Sequence, residues 1–281
     1  MLDTSKRVVI VGLGLLGGRY ALGLTRAGFA VDGIDRSPEA VEFALKEGYI
    51  QRGATENFAP LLAEAGYVVL GLYPTALLDW LKQYGSLLPA GCLVTDTCGV
   101  KTGVVDAAQA LMPEGVEFIG SHPMAGKERS GFDASEASLF YNASYILVPG
   151  EAPQSATDTL VSLAKSMGFG TIKYCTQQKH DRMIAYTSQI PHVLACAYVM
   201  SPRCDEHSGF SAGSYRDVSR VARINAELWA DLFLANREEL ADETEELVRN
   251  IERIRTAVAK NDRAELVALL SSAREKKEKF G

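Results

Sequence analysis

A histidine in a stretch of small residues is the first candidate for chemistry in this chain. The stretch reads GSHPMAGKERSG at residues 120–131, and it contains His122, one of four histidines. Such a stretch exposes an imidazole and adds little to a hydrophobic core, so it is either an ordinary turn or part of an active site. A neutral imidazole can accept a hydroxyl proton near neutral pH. If the stretch is part of an active site, its small neighbouring residues leave room for a substrate and a cofactor beside the ring.

A second set of polar residues lies on a long helical pattern at residues 176–200. His180, Ser188 and His192 fall within about 120° of arc at 100° per residue, which is roughly one face of a helix. Pro191 removes a backbone donor inside this pattern, so we expect a kink there. The spacing leaves two interpretations open: hydrogen-bonded polar groups on a packed helix, or side chains of a binding site.

Three arginines form a third set, within the helical pattern at residues 213–229. Arg216, Arg220 and Arg223 stand at positions i, i+4 and i+7, which predicts one stripe along a helix. Such a stripe is either a solvated face paired with neighbouring acidic residues or a site for an anionic substrate. The second interpretation is chemically reasonable because a planar guanidinium group binds a carboxylate through two parallel hydrogen bonds.

The start of the chain has the pattern of a nucleotide-binding loop. The apolar run RVVIVG (7–12) is typical of a buried strand, and Gly12, Gly14 and Gly17 then form GxGxxG at the start of a helix. These glycines permit a tight turn and let a pyrophosphate approach the backbone at the helix N-terminus. NAD or NADP is the expected ligand. The alternatives are a flavin or other nucleotide, or a Rossmann-type domain without a cofactor.

The choice between NAD and NADP depends on the end of the second predicted strand, residues 29–35. Asp35 would accept hydrogen bonds from both ribose hydroxyls and repel a 2′-phosphate, which favours NAD. Arg36 weakens this preference because an arginine there could bind a phosphate. The residues expected to contact the cofactor are Gly12, Leu13, Gly14, Leu15, Leu16, Gly17, Asp35, Arg36 and Thr97.

The elements that position these residues alternate between strand and helix in the first part of the chain. Further strands are predicted at 67–74, 92–96, 116–120, 144–149 and 171–175, and a helix between Ser37 as N-cap and Gly48 as stop signal. Strand signals then cease. The predicted fold is α/β: a Rossmann-type doubly wound sheet in residues 1–175, followed by an all-helical domain in residues 176–281.

Composition excludes several other classes of protein. A net charge of −6 argues against nucleic acid as a partner, and the absence of a run of eighteen apolar residues argues against a membrane span. The first strand pattern starts within seven residues of the N-terminus, so we expect no signal peptide. Five cysteines without a CxxC pair indicate reduced thiols and a cytoplasmic protein. The histidines lack metal-ligand spacing, so we expect no metal site.

Taken together, the motifs resemble the prephenate/arogenate dehydrogenase family of tyrosine biosynthesis. The resemblance covers essentially the whole chain, in order, and rests on GLGLLGG, VTDTCGVK (94–101), GSHPMAG (120–126), HD (180–181), SQIPH (188–192) and SRVARINAELW (219–229). The HPMAG and arginine-to-tryptophan segments are far more specific than the glycine loop. The resemblance implies an NAD-dependent prephenate dehydrogenase that works as a homodimer, with its active site in the cleft between the domains. An arogenate or dual-specificity cyclohexadienyl dehydrogenase is the alternative.

The resemblance also assigns roles to individual residues. It implies that His122 is the catalytic histidine, that His192 is a second active-site histidine and that Arg220 binds the ring carboxylate of the substrate. The remaining residues that we expect to contact substrate are Glu128, His180, Ser188, Gln189, Arg216 and Arg223.

Two departures from the family pattern affect these expectations. Several members carry a serine that is hydrogen-bonded to the catalytic histidine where this chain has Gly99, so another group or a water must orient His122. Many members have a histidine where this chain has Gln189, which leaves the preference for prephenate or arogenate open. We also expect no regulation through the ACT-type or fused mutase domains of some relatives.

Two rival functions fit parts of the sequence. β-Hydroxyacid and ketopantoate-type dehydrogenases share this domain arrangement, but they typically use a lysine on the helical domain, and residues 181–229 contain no lysine. A sensor that only binds NAD would need none of the three residues His122, His192 and Arg220.

Overall fold

The computed structural model describes residues 3–125 and 140–280, and the chain divides into two compact units, Met1–Ile184 and Ala185–Gly281. We predicted the boundary after residue 175, so the structure assigns one further helix, Gln177–Ile184, to the first unit. Hydrogen bonds explain this difference. On this helix, Gln177 Nε2 donates to Asp106 Oδ1 (2.5 Å), and Asp181 accepts the backbone N–H of Lys101 (2.8 Å), so both side chains join the helix to the first unit.

The first unit is built on an eight-stranded sheet. Its strands are β1 (Arg7–Val11), β2 (Val31–Ile34), β3 (Arg52–Ala54), β4 (Ala65–Leu70), β5 (Leu93–Asp96), β6 (Glu117–Met124), β7 (Ser144–Val148) and β8 (Thr171–Tyr174). They are ordered β3-β2-β1-β4-β5-β6-β7-β8, and all neighbours are parallel except β6 and β7. The strand order reverses at β1, as in doubly wound nucleotide-binding folds. The predicted fold class is confirmed.

Helices connect most of these strands. They are α1 (Leu15–Arg26), α2 (Pro38–Lys46), α3 (Ala59–Leu62), α4 (Pro74–Tyr84), α5 (Val105–Ala110), α6 (Gln154–Ser166) and α7 (Gln177–Ile184), with a 3₁₀ turn at Gly85–Leu87. The predicted ends of α2 are confirmed. The Ser37 side chain accepts the Ala40 N–H (3.2 Å), and Gly48 follows the helix with φ +70°.

The sheet is buried on both faces. Successive residues of β1 enter different hydrophobic clusters: Val8 and Ile10 face one cluster, and Val9 and Val11 face the other. This alternation explains why the predicted strands are nearly continuous apolar runs, since both faces of a parallel sheet are covered by helices.

Two strands differ from their predictions. The strand β3 was not predicted, because its three residues, RGA, carry no apolar signal. We expected β6 to end at residue 120 and His122 to lie in a loop, but β6 continues to Met124. The continuation is caused by antiparallel pairing with β7, in which His122 is opposite Ile146. His122 is therefore a strand residue, beyond the end of the parallel β5.

The second unit contains helices and no strands in its described residues, 185–280. It contains a π-helical turn at Ala185–Gln189 and the helices α8 (Ile190–Val199), α9 (Gly213–Ser219), α10 (Ala226–Ala235), α11 (Arg237–Ala259) and α12 (Arg263–Phe280). Two 3₁₀ turns lie at Pro202–Glu206 and Arg220–Ala222. In the described part of the chain, no helix combines the length and apolar character needed to cross a membrane.

Two helical predictions change in this unit. The expected kink near Pro191 is a full π-helical turn, which accommodates a residue without a backbone donor. The predicted helix at 213–229 is broken, because Arg223 leaves the helical region (ψ 78°) and Asn225 caps a new helix by accepting the Leu228 N–H at 3.2 Å. Arg223 therefore does not continue the predicted arginine stripe.

Candidate active site

The loop between β1 and α1 has the geometry of a phosphate-binding turn. Gly12 adopts φ +88°, and a Cβ there would lie 2.6 Å from the Gly71 carbonyl oxygen. A Cβ at Gly17 would lie 1.7 Å from the Gly12 carbonyl oxygen, so α1 can pack this closely only on a glycine. A Cβ at Gly14 would meet nothing within 4 Å. The first and third glycines are thus required by packing, whereas the second leaves the backbone open to a ligand.

Asp35 lies directly after β2 and is tied to this loop. Its Oδ2 accepts the Leu13 N–H (2.6 Å), and its Oδ1 accepts the Ser37 N–H (2.9 Å). The carboxylate is therefore fixed beside the glycine turn, where the acidic residue of a dinucleotide site is expected. Of the other predicted cofactor residues, Leu15 and Leu16 are partly buried in the first turn of α1, Arg36 is exposed, and Thr97 is buried after β5.

His122 belongs to a chain of three hydrogen-bonded side chains. Its Nδ1 is 2.9 Å from Nε2 of His180, and Nδ1 of His180 is 2.6 Å from Oδ1 of Asp181. The Asp181 carboxylate also accepts the backbone N–H groups of Lys101 (2.8 Å) and Thr102 (2.7 Å). His180 is only 1% exposed. We predicted that His180 contacts substrate; the structure instead places its ring against the catalytic candidate.

The surroundings of His122 favour its neutral form. Desolvation lowers the pKa of His122 well below its ordinary value of 6.5, and the nearby His180 and Lys101 lower it further. Burial also lowers the pKa of His180, although its hydrogen bond to Asp181 acts in the opposite direction. Burial opposes ionisation of Asp181, but hydrogen bonds from His180 and Thr102 outweigh it and lower the pKa of that carboxyl group.

A buried ion pair holds the strand ends beside His122. Lys101 Nζ lies 2.5 Å from Asp96 Oδ2, and both side chains are fully buried. Asp96 also accepts the backbone N–H groups of Cys98 (2.9 Å) and Ser121 (2.8 Å), and Lys101 donates to the Cys98 carbonyl (3.1 Å). These contacts join the end of β5 to the residue before His122. Removing one partner of a buried pair leaves an uncompensated charge, so loss of either side chain is expected to destabilise this region.

Our sequence reasoning gave no role to Asp96, Lys101 or Asp181. The sequence does carry a signal for the first two. The buried strand β5 ends in an aspartate, and a lysine follows five residues later. Because charged residues are rarely buried unless they are paired, these opposite charges indicate a buried ion pair. Asp181 directly follows His180 in the chain, but sequence adjacency alone does not show that its carboxylate faces the ring.

In the second unit, His192 has a defined orientation. Its Nδ1 donates to the Ser188 carbonyl oxygen (2.8 Å), and its ring stacks on Trp229 with centroids 3.6 Å apart. The Nε2 atom of His192 therefore keeps its lone pair when the ring is neutral. Ser188 and His192 are both partly exposed. His180 belongs to the other unit, and the π-helical turn interrupts the regular helix on which we placed all three residues.

Gln189 does not lie at a surface. It is 2% exposed, its Nε2 donates to the Leu232 carbonyl (3.1 Å), and its Oε1 accepts the Asn236 side chain (2.7 Å). These bonds join the π-helical turn to the region of α10 and α11. The prediction that Gln189 contacts substrate is therefore not supported by this structure, because its amide is used in packing.

The predicted substrate-binding arginines are exposed. Arg216 lies on α9, and Arg220 opens the 3₁₀ turn that follows it. Arg223 is also exposed, outside any helix. Glu128, the remaining predicted substrate contact, lies outside the described residues, and so does the final glycine of GSHPMAG. Within residues 3–125 and 140–280, no group of three histidine, cysteine or acidic side chains is arranged to hold a metal ion.

Two family models and a curated relative identify the family of this chain. The family model described as the prephenate dehydrogenase nucleotide-binding domain matches residues 20–172, and the one described as the prephenate dehydrogenase dimerization domain matches residues 176–272. Prephenate dehydrogenase of Bacillus subtilis is 32% identical over 277 residues, which cover 95% of this chain and 74% of that protein.

Two solved structures are also similar over nearly the full chain. Prephenate dehydrogenase from Aquifex aeolicus, in complex with hydroxyphenyl propionate and NAD⁺, has a TM-score of 0.88 and 26% identity, and 98% of each chain is covered. Synechocystis arogenate dehydrogenase has a TM-score of 0.83 and 27% identity, covering 98% of this chain and all of its own.

Proposed function

This chain belongs to the prephenate dehydrogenase family, and from that membership we propose that it catalyses the NAD-dependent oxidative decarboxylation of prephenate to 4-hydroxyphenylpyruvate in tyrosine biosynthesis. The observation that carries the proposal is His122. Its ring is kept neutral at the carboxyl end of the parallel strands, which is also the sheet edge of the glycine loop. An arogenate or dual-specificity dehydrogenase is the alternative, which the similarity to the Synechocystis enzyme supports.

The residues present fit NAD. The open Gly14 backbone and the N-terminus of α1 suit a pyrophosphate, and the fixed Asp35 carboxylate suits a ribose with two hydroxyls. When bound, the nicotinamide accepts a hydride from the substrate.

His122 supplies the acid–base chemistry in this proposal. Prephenate carries a ring hydroxyl and, on the opposite ring carbon, a carboxylate. His122 Nε2 accepts the hydroxyl proton while the hydride departs from the carbon that bears this hydroxyl. The electrons of the bond to the leaving CO₂ then enter the ring, and the proton returns from His122 to the phenolate oxygen. Aromatisation drives the reaction, so the protein mainly needs to orient the substrate and handle one proton.

The remaining roles are assigned to the second unit. We assign the ring carboxylate to Arg220, because a guanidinium group can bind a carboxylate through two hydrogen bonds. We assign His192, oriented by Ser188 and Trp229, to the end of the site that holds the substrate side chain. Arg216 and Arg223 remain candidates for the second carboxylate, since both are exposed.

One assay tests the proposed function. Purified protein is incubated with NAD and either prephenate or arogenate, and NADH formation is followed by absorbance at saturating NAD. We expect turnover with prephenate, at a higher kcat/KM than with arogenate. A reversed order of the two substrates would favour the alternative, and no NADH from either would refute both.

Cofactor choice is expected to depend on Asp35. The wild type should use NAD with a kcat/KM at least about tenfold above that for NADP, since one charged contact contributes roughly 1.4 kcal/mol. Asp35→Ser should narrow this ratio. Asp35→Asn is the matched variant for the charge alone. Its amide oxygen can still accept the Leu13 N–H, so the negative charge is removed while this hydrogen bond is kept. Equal or better use of NADP by the wild type would refute the assignment and point to Arg36.

We also propose that the chain forms a homodimer through its second unit. The family model for residues 176–272 is described as a dimerization domain. In addition, α11 exposes an apolar stripe formed by Val248, Ile251, Ile254 and Val258, which single chains in water rarely leave uncovered.

Dimer formation can be tested by light scattering of the purified protein. The wild type should have about twice the chain mass, and Ile251→Arg should shift it toward the monomer because a charge would be buried at the interface. Asp242→Arg is the control, since it lies nine residues away and therefore on the opposite side of α11. A monomeric wild type would overturn the proposal.

We also propose that the protein is located in the cytoplasm. All five cysteines are free in the structure, as in proteins of reducing compartments. The expected partners are the small-molecule substrate and a second copy of the chain, with neither nucleic acid nor a membrane.

A further inference from the structure

Each hydrogen bond in the chain from His122 through His180 to Asp181 has a defined donor and acceptor. An ionised carboxylate has no proton to donate, so Asp181 accepts from His180, and Nδ1 of His180 carries the proton. In a neutral imidazole the other nitrogen is then an acceptor, so Nε2 of His180 accepts from Nδ1 of His122. By the same rule, Nε2 of His122 bears the lone pair. The chain of contacts thus selects one tautomer at each ring.

We propose that His180 and Asp181 are positioning residues: Asp181, acting through His180, holds His122 in the tautomer whose Nε2 can accept the substrate hydroxyl proton. This inference rests on the proposed function, in which that proton transfer takes place. The pair supplies the orientation that Gly99, which has no side chain, cannot supply.

The surroundings of the pair are suited to this role. His180 is almost completely buried on α7, so its ring cannot turn toward water. Asp181 is held by the Lys101 and Thr102 backbone N–H groups, so its carboxylate is anchored independently of the histidines. Burial lowers the pKa of both histidines, which keeps each ring neutral with a single proton to place.

The pair also acts after proton transfer. When His122 Nε2 takes the hydroxyl proton, the ring becomes an imidazolium whose Nδ1–H still donates to His180. The negative charge of Asp181, one ring away, then stabilises the positive charge. The proton leaves again from His122 Nε2 to the phenolate oxygen, so the pair gains and loses no proton over a turnover.

Two variants test this arrangement, each with a different expected effect on the tautomer. His180→Phe keeps a buried aromatic ring and removes the acceptor for His122 Nδ1. Asp181→Asn introduces an amide NH₂ that can donate to His180, which permits the reverse order, with the proton on His122 Nε2. We expect kcat to fall about ten- to a hundredfold in His180→Phe and about tenfold in Asp181→Asn, while KM for prephenate changes less than about twofold.

A control variant separates positioning from helix packing. Asp106→Asn weakens a hydrogen bond to the same helix, at Gln177, without touching the histidines, and it should leave kcat within about twofold of the wild type. In the His180→Phe background, adding Asp181→Asn should lower kcat by less than about twofold, since Asp181 acts through His180. A full additional loss in that background would show that Asp181 only anchors the Lys101–Thr102 backbone, and would overturn the proposal.

The tautomer can be observed without turnover. In protein labelled with ¹⁵N-histidine, the ring signals of His122, assigned by their loss in His122→Asn, should show protonated Nδ1 and unprotonated Nε2 in the wild type. In Asp181→Asn the Nε2-protonated form should appear. Because this measurement needs no substrate, it tests the inference even if the prephenate assay fails. Unchanged His122 signals in both Asp181→Asn and His180→Phe would refute the inference and leave the proposed function intact.

Discussion

His122→Asn should lower kcat for prephenate oxidation by about 10²–10⁴, which is the usual contribution of a positioned acid–base group. Asparagine is similar in size and can still form hydrogen bonds, but it cannot take a proton at neutral pH. The KM for prephenate should change little, because the lost interaction develops only as the hydride leaves. Steady-state kinetics at saturating NAD, together with circular dichroism to confirm folding, measures this effect.

Two other histidines provide the comparison for this variant. His207→Asn changes a partly exposed ring that contacts Ser211 (3.2 Å) and Tyr215, and it should leave both constants unchanged. His192→Asn should act more on KM than on kcat, because His192 is assigned to binding. A folded His122→Asn enzyme with near wild-type kcat would remove the base from the proposed mechanism.

The pH dependence follows from the same residue. Only neutral His122 can accept the proton, so activity is present above its pKa and is lost as the pH falls through it. An unperturbed histidine would place this acid limb near pH 6.5. Desolvation, His180 and Lys101 lower the pKa of His122, so the limb of kcat/KM, which reports the free enzyme, should lie below pH 6.5. The limb should be absent from the residual activity of His122→Asn.

Arg220→Ala should raise KM for prephenate about ten- to a hundredfold, because a charge-assisted hydrogen bond to a carboxylate contributes about 1.5–3 kcal/mol. The KM for NAD should hardly move, since the glycine loop and Asp35 lie in the other unit. Arg220→Lys should give an intermediate KM, because lysine keeps the charge but not the paired donors of the guanidinium group.

A second exposed arginine controls for the loss of positive charge. Arg203→Ala removes a guanidinium group of the same unit that lies 3.7 Å from Glu206, and its kinetics should match the wild type. If Arg220→Ala raises both Michaelis constants together, Arg220 stabilises the fold of the second unit and another residue binds the ring carboxylate.

Local rules predicted the elements whose signals are short in sequence. The cap at Ser37, the stop at Gly48 and the turn at Gly12 are each recognisable within a few residues, and all three are confirmed. The position of Asp35 directly after β2 is confirmed for the same reason. The family resemblance assigned His122, Arg220 and the two-domain order from the sequence alone, because the motifs lie in order along the chain.

Local sequence rules could not predict which distant segments of the chain pair with each other. The short strand β3 forms because β2 offers it an open edge, and β6 extends through His122 because β7, twenty residues further along, pairs with it. Gln189 looked like a polar residue near a site, but Asn236 lies against it and the amide is buried. Each outcome depends on a partner that no local window contains.

The amino-acid sequence by itself determined the family of this protein, its strand and helix types, the nucleotide loop and the identity of the candidate base. Tertiary structure decided how that base is held. His122 and His180 are separated by 57 residues of chain, and their hydrogen bond forms because α7 packs on the first unit, where Asp181 accepts the backbone N–H groups of Lys101 and Thr102. Tautomer and pKa are set by such through-space contacts and by burial, which depend on the folded position of a residue rather than on its neighbours in sequence.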